Sequence, residues 1–405
     1  MANLFRRSEN QPPHSDLSFI TDPQTRADQQ KRDAMNVGCL RNPWCQRHIT
    51  WQSGLPHTGQ VLRHRHNLEN LIAALICLTL GFAGVGYALH AQTGWLAASL
   101  LLVISWGLIL AALRCFRLPN RHAAAHAELT GSARSNWWIG QILSAFLLLA
   151  PMSVYQRTHV SDPDRAHHRW RTLLSWGEPT LMELREMGFK PGAPRQENWR
   201  HLWRGLLFSP LFYGRCMQQA LRDTFFSGTR TERCFSLMLW AALISCATLS
   251  GNLNVLVVAY IPPRLLFESA QVLRVLIEHT FLDPGTPNTP ATYRRKTWAL
   301  ILATPLPDLN AETNAWKRHW LLLSWMIAMI SHLPARWFVS TGDTSNHPTH
   351  HIRPGASFAN HERERMLLIQ QGVAIPSHWG LITAIDAFFG QLEHQPETLF
   401  DPPSD

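Results

Sequence analysis

The sequence predicts an all-α integral membrane protein: four transmembrane helices in two hairpins, under a cytoplasmic helical cap. Three observations predict it. Uncharged runs of spanning length come in pairs joined by short links. Lys and Arg flank these pairs and are missing from their tips, and basic residues concentrate on the cytoplasmic side. Mean hydropathy is only −0.11 over 405 residues, so few spans and much extramembrane chain are expected. Lys and Arg number 37 against 28 Asp and Glu, a net charge of +9. That balance suits nucleic acid or an anionic membrane face. No zinc finger or RNP aromatic pair is present, so a membrane is expected and no nucleic-acid partner. The 17 Trp fit this choice, since Trp favours membrane interfaces.

Residues 1–68 are polar and mostly unpatterned, and read as a partly disordered cytoplasmic segment. Arg6 and Arg7 are followed by no apolar core, so no cleavable signal peptide is expected. Residues 71–91 carry no charge; Thr93-Gly94 interrupts, and 95–113 is again uncharged. Each run is about 20 residues, enough to cross ~30 Å of hydrocarbon. Arg114 and Arg117 close the second, so these two runs form the first hairpin with its tip outside. Residues 137–154 form a run that Pro151 interrupts, marginal for spanning, and 169–233 is charged and Trp-rich.

Residues 235–249 and 254–261, joined by Ser250-Gly251-Asn252, open the second hairpin. Pro262-Pro263 breaks its outgoing helix and frees a backbone carbonyl that needs a partner. The apolar pattern resumes and ends at Glu278-His279. The connection 280–318 is mostly polar. The run 320–331 is apolar but short, and reads as lying in the interface. The resulting divisions are 1–68, a membrane domain at 69–372 and a cytoplasmic tail at 373–405.

Seven cysteines stand at 39, 45, 77, 115, 216, 234 and 246 without a CxxC pair, as expected of reduced cytoplasmic-side thiols. Cys39, Cys45, His48 and His57 match no zinc module.

Histidines carry the chemistry. His122 and His126 stand at i, i+4 after the first hairpin, with the alanines between them favouring helix. His159 and the pair His167-His168 follow. His279 closes the second hairpin. Asn346-His347-Pro348-Thr349-His350-His351 puts three imidazoles at i, i+3, i+4, on one side of a helix. Two hairpins have even parity, so all nine histidines fall on the cytoplasmic face, provided that 137–154 and 320–331 do not cross. One ion takes about four to six ligands, so nine neutral nitrogens suit two ions with places left over. His332, His361, His378 and His394 lack a partner at ligand spacing, His90 lies at the outer hairpin tip, and His201 and His319 read as interface residues.

In this order, HxxxH, a His-plus-HH box, Glu-His after a Pro-broken span, then NHxxHH and Pro354, the residues resemble the membrane fatty acid desaturase superfamily, which includes hydroxylases. The resemblance covers roughly 70–370. It implies that His122, His126, His159, His167, His168, His279, His347, His350 and His351 hold two non-haem iron ions, with no catalytic residue beyond these ligands. Asn136, Glu278 and Asn346 are the candidates for supporting ligand rings from behind. Two departures stand out. Seven residues, Val160 to Ala166, separate His159 from His167. On a straight helix that span is about 12 Å, too far for a shared ion. Either a bulge brings His159 back or it serves as a supporting residue. Ala123 also stands where an Asp often follows the first histidine.

The implied activity is desaturation of a fatty acyl or similar lipid chain with O₂ and external electrons. A membrane hydroxylase and a degenerate, non-catalytic metal-binding protein are the alternatives. No His-Pro-Gly-Gly haem motif or GxGxxG turn occurs, so a separate carrier such as a ferredoxin is implied; the Arg and Lys near 185–204 or 294–296 either dock it or form a solvated or lipid-facing surface. The expected location is a bacterial inner membrane, with the termini and metal site cytoplasmic.

Overall fold

The computed structural model describes residues 20, 22–91, 94–161, 173–342, 344–353 and 356–402. Two long helices, Asn67–His90 and Trp95–Cys115, pack along each other as the first hairpin. Their approach is close because Gly81 and Gly84 face the second helix. A Cβ at Gly84 would fall 2.2 Å from Ser105 Oγ, and one at Gly81 2.5 Å from Ile109 Cγ1. Small residues let apolar helices reach backbone contact where no hydrophobic force drives them together. Arg230–Leu249 and Leu253–Glu278 form the second hairpin. The helix Leu253–Glu278 runs on through Pro262 and Pro263. The carbonyl four residues before Pro262 belongs to Val258, and Trp106 Nε1 of the first hairpin donates to it at 2.8 Å. The freed acceptor is thus satisfied across the helix pair.

The expectation of four spans in two hairpins is corrected. Among the described residues five helices are long and apolar enough to cross a membrane, the fifth being Ala315–Val339. The apolar run proper, 320–331, is flanked by Lys317, Arg318 and His319 before it and by His332 and Pro334 after it. None of them stops the helix. Long basic side chains snorkel from a helix end, and a π-helical turn, Ala335–Val339, follows Pro334. Trp325 Nε1 donates to the Thr304 carbonyl at 2.8 Å, and Gln52 Nε2 to the Met329 carbonyl at 2.6 Å. Counting crossings therefore does not place the histidines; their contacts with one another do.

From residue 22 onward the N-terminal region carries defined helices. Pro23–Asp33 and Pro43–Ser53 are helices, each with Pro in its first turn. Asp22 Oδ2 accepts from Thr25 N at 2.7 Å, and Asn42 Oδ1 from Trp44 N at 2.8 Å, so both starts are capped. Asp28 on the first helix accepts from Ser377 Oγ at 2.5 Å and Trp379 Nε1 at 2.8 Å. Ser377–Trp379 pairs in parallel with Ala299–Ile301 in a two-stranded sheet. Around this sheet, helices from 179–206, the end of Leu253–Glu278 and Leu381–Glu393 bury one apolar core that includes Leu184, Leu276, Phe388 and Phe389. This cap holds the histidines against the ends of the membrane helices.

Candidate metal centre

The first histidine pair is set by a change of helical pitch. Trp95–Cys115 continues into a π-helical segment, Phe116–Arg121, and then a short α-helical turn, His122–Ala125. Such wide turns re-aim the residues that follow and recur at functional sites. The His122 and His126 rings stack at 4.9 Å with 14° between planes. Ala123 and Ala124 are fully buried beneath them. A second π-helical segment, Arg157–Ser161, carries His159. It brings His159 Nε2 to 3.1 Å from His122 Nε2. His159 thus joins the first pair, and its separation from His167 lies outside the described residues. His167 and His168 lie outside the described residues.

The third box forms the short helix His347–Ile352, with Pro348 in its first turn. Its three imidazoles do not all stay together. His347 and His351 differ by only about 40° around the helix, whereas His350 is about 100° from His351. Accordingly His351 Nε2 lies 2.8 Å from His347 Nε2, and His350 Nε2 turns to His122 Nε2 at 2.8 Å. His279 follows the last residue of Leu253–Glu278, and its Nε2 lies 3.0 Å from His347 Nε2 and 3.3 Å from His351 Nε2. Two groups result: His122, His126, His159 and His350, and His279, His347 and His351, each with ligand atoms within 4.8 Å of one another. One short helix serves both.

These groups fit metal ions better than they fit each other. Three neutral imidazoles cannot hydrogen-bond around a triangle, since each Nε2 either donates or accepts along a single in-plane direction. Two nitrogens each about 2.1 Å from one ion are about 3.0 Å apart at a right angle and about 3.4 Å apart at a tetrahedral one. The separations in the three-histidine group, 2.8 to 3.3 Å, fall close to that range.

Two tyrosines that the sequence reading passed over meet ligand rings from behind. Tyr293 Oη lies 2.6 Å from His351 Nδ1, and Tyr155 Oη 3.4 Å from His122 Nδ1. Burial pushes both phenols above their ordinary value, so they meet the rings as neutral hydroxyls. Tyr155 is four residues before His159, a spacing readable in the sequence; Tyr293 sits in a connection with no such signal. His361 is fully buried, its ring 5.9 Å from that of His350.

Of the three supporting residues expected, Asn136 spends its side chain on Thr130, accepting from the Thr130 amide at 2.7 Å and donating to its carbonyl at 3.1 Å. It braces the loop after His126. Asn346 Nδ2 donates to the Gly54 carbonyl at 2.9 Å, and its Oδ1 accepts from Arg365 Nη1 at 3.0 Å. That ties the third box to the N-terminal helices. Glu278 pairs with Arg274. A cavity of about 310 Å³ opens beside both groups, with His122, His159, His279 and His347 in its wall.

The family model for fatty acid desaturase matches residues 98–371, more than half of the chain and all of the histidine groups. The chain belongs to the fatty acid desaturase family. Comparison with curated proteins and with solved structures returns no match. This desaturase-family chain is thus an integral membrane enzyme of the desaturase and hydroxylase superfamily, whose histidine clusters suit a two-metal catalytic site.

Proposed function

We propose that the chain is a lipid desaturase that inserts a double bond into an acyl chain, with two iron ions held by the seven clustered histidines and by His167 and His168. The observation that carries this reading is the convergence of histidines from four separate segments into two adjacent groups served by one helix. Neutral imidazoles suit iron and leave the centre cationic. Iron bound there supplies the activation of O₂ for attack on an unactivated C–H bond. Overall, one O₂, two hydrogens from adjacent carbons, two electrons and two protons yield one double bond and two waters.

The chain's own residues position and enclose. Tyr293 fixes the orientation of the His351 ring. Phe358, packed 4.3 Å from the His122 ring and 4.9 Å from the His350 ring, shields the first group from water. Leu118, Leu149, Val154 and Val275 provide the apolar part of the cavity wall for the chain. Electrons come from a separate acidic carrier such as a ferredoxin, on the face where the histidines lie, proposed here as cytoplasmic. Lys296 is not part of its landing site, because it is buried and donates to the Leu173 carbonyl at 2.7 Å.

Two measurements test the reading. Metal analysis after anaerobic reconstitution is expected to give two irons per chain, falling to about one in His350→Ala, which removes a ligand from the four-histidine group only. Fewer than one iron in the unaltered protein, or no change in His350→Ala, would sink it. Mass spectrometry of the product is expected to show loss of two hydrogens; gain of one oxygen would make the chain a hydroxylase instead.

A further inference from the structure

The cavity beside the histidines is not the slot that hydrocarbon alone requires. Its wall carries three arginines, Arg117, Arg121 and Arg274. Two of them are committed. Arg121 donates to Ser144 Oγ at 2.7 Å and the Ala150 carbonyl at 2.9 Å, and lies 3.8 Å above the Tyr155 ring. Arg274 pairs with Glu278 and donates to Gln271 Oε1 at 3.0 Å. Arg117 makes no hydrogen bond or ion pair among the described residues; its guanidinium rests 5.5 Å from the centre of the Phe267 ring.

The nearby carboxylates are occupied elsewhere. Glu183 accepts from Gln271 Nε2 at 3.1 Å, Asp223 from Gln219 Nε2 at 2.9 Å, and Glu268 pairs with Arg264. Glu183 and Glu268 attract Arg117 only at longer range, and Arg274 repels it. A guanidinium partly withdrawn from water without a paired anion is costly. Its planar fork matches a carboxylate or phosphate in a bidentate pair.

We infer that Arg117 is an oxyanion subsite that takes the carboxylate or phosphate of the substrate inside the histidine-lined cavity. The inference rests on the reading of the histidines as the reaction centre. Arg117 and His122, five residues apart in sequence, both line the wall of this one cavity. The cavity, about 310 Å³, is at the small end of ligand sites, which run from about 300 to 1,000 Å³. An anion held at Arg117 therefore leaves only a few bonds between itself and the carbon beside the histidines. The substrate class is an amphiphilic acid or phosphate ester that reacts near its head, rather than a neutral lipid that reacts at mid-chain.

The test is binding to the purified full-length protein, with octanoate, octyl phosphate and the neutral methyl octanoate as probes. The unaltered protein is expected to bind one of the two anions about tenfold more tightly than the ester, the worth of one charge-assisted pair. Whichever anion wins identifies the headgroup. Arg117→Gln is expected to erase that preference and leave ester binding unchanged. Equal binding of all three probes by the unaltered protein, or a preference that survives Arg117→Gln, overturns the proposal. Should Arg117→Gln fail to fold, Arg117→Lys replaces the fork with a single ammonium and is expected to weaken the anion several-fold; unaltered anion binding there also overturns it. Iron content measured on the same samples separates the two claims. Absence of iron with intact anion preference sinks the two-metal reading and leaves the subsite standing. Two irons with no preference sinks the subsite alone.

Discussion

Replacing Tyr293 by Phe is the most direct probe of how the three-histidine group is held. His351 Nε2 faces His347 and His279, so a bound cation puts the ring proton on Nδ1. The Tyr293 oxygen, 2.6 Å away, is then its acceptor. Tyr293 is 7% exposed and His351 4%, leaving bulk water little access to replace the lost oxygen. Removing the partner of a buried polar group costs about 1–3 kcal/mol. Loss of such an outer partner lowers metal affinity about 10–100-fold. Tyr155 supplies an internal control. Its oxygen is 3.4 Å from His122 Nδ1, beyond good hydrogen-bond length, so Tyr155→Phe is expected to cost less than about threefold. Chelator competition against Fe(II)-loaded protein reads both, with thermal unfolding of the metal-free variants as the check on folding. Affinity in Tyr293→Phe within twofold of the unaltered protein, or a larger loss in Tyr155→Phe, would refute the reasoning.

Two further outcomes are expected. Gly54 has φ of 71°, and a Cβ there would fall 2.3 Å from Ser345 Oγ and 3.4 Å from Asn346 Nδ2. Gly54→Ala is therefore expected to cost roughly 1–3 kcal/mol and to weaken iron binding by the third box, read by thermal unfolding and chelator competition. Burial lowers the Lys296 ammonium from 10.5 to about 8. Between those values the unfolded chain binds more protons than the folded one, so stability rises with pH across that window, and the penalty of burying the charge is fully present below it. Thermal unfolding at pH 7 and at pH 10 is expected to show that rise and to lose most of it in Lys296→Met.

What the sequence made legible was local. The first hairpin follows from two uncharged runs, and the need for a partner at a freed carbonyl from Pro262-Pro263, met by Trp106. The HxxxH pair and the third box follow from i, i+4 spacing. What depended on distant contacts was not legible. The fifth apolar helix extends past 320–331 at both ends, through Lys317 and Arg318 before it and Pro334 after it, so its flanking charges do not mark its limits. His350 leaves its helix neighbours for His122, a partner 228 residues away that no spacing reveals. His159 meets His122 from a π-helical turn, a change of pitch without a sequence signature. The helices Pro23–Asp33 and Pro43–Ser53 were readable from Asp22-Pro23 and Asn42-Pro43, but overall polarity obscured those caps.

The parallel pair formed by Ala299–Ile301 and Ser377–Trp379 has a consequence for biogenesis. It closes a loop that contains the fifth apolar helix and the whole third box, and Asp28 holds the second strand from the other end of the sequence. A nascent chain that has emerged only as far as residue 351 already carries every clustered histidine, yet lacks the strand that seals them in. Contacts of such long sequence separation form late, and synthesis delivers the region near Asp28 long before Trp379. Iron is thus expected to be installed after translation ends, when the bracket shuts, and a ribosome stalled short of residue 377 should release chains that chelators strip readily.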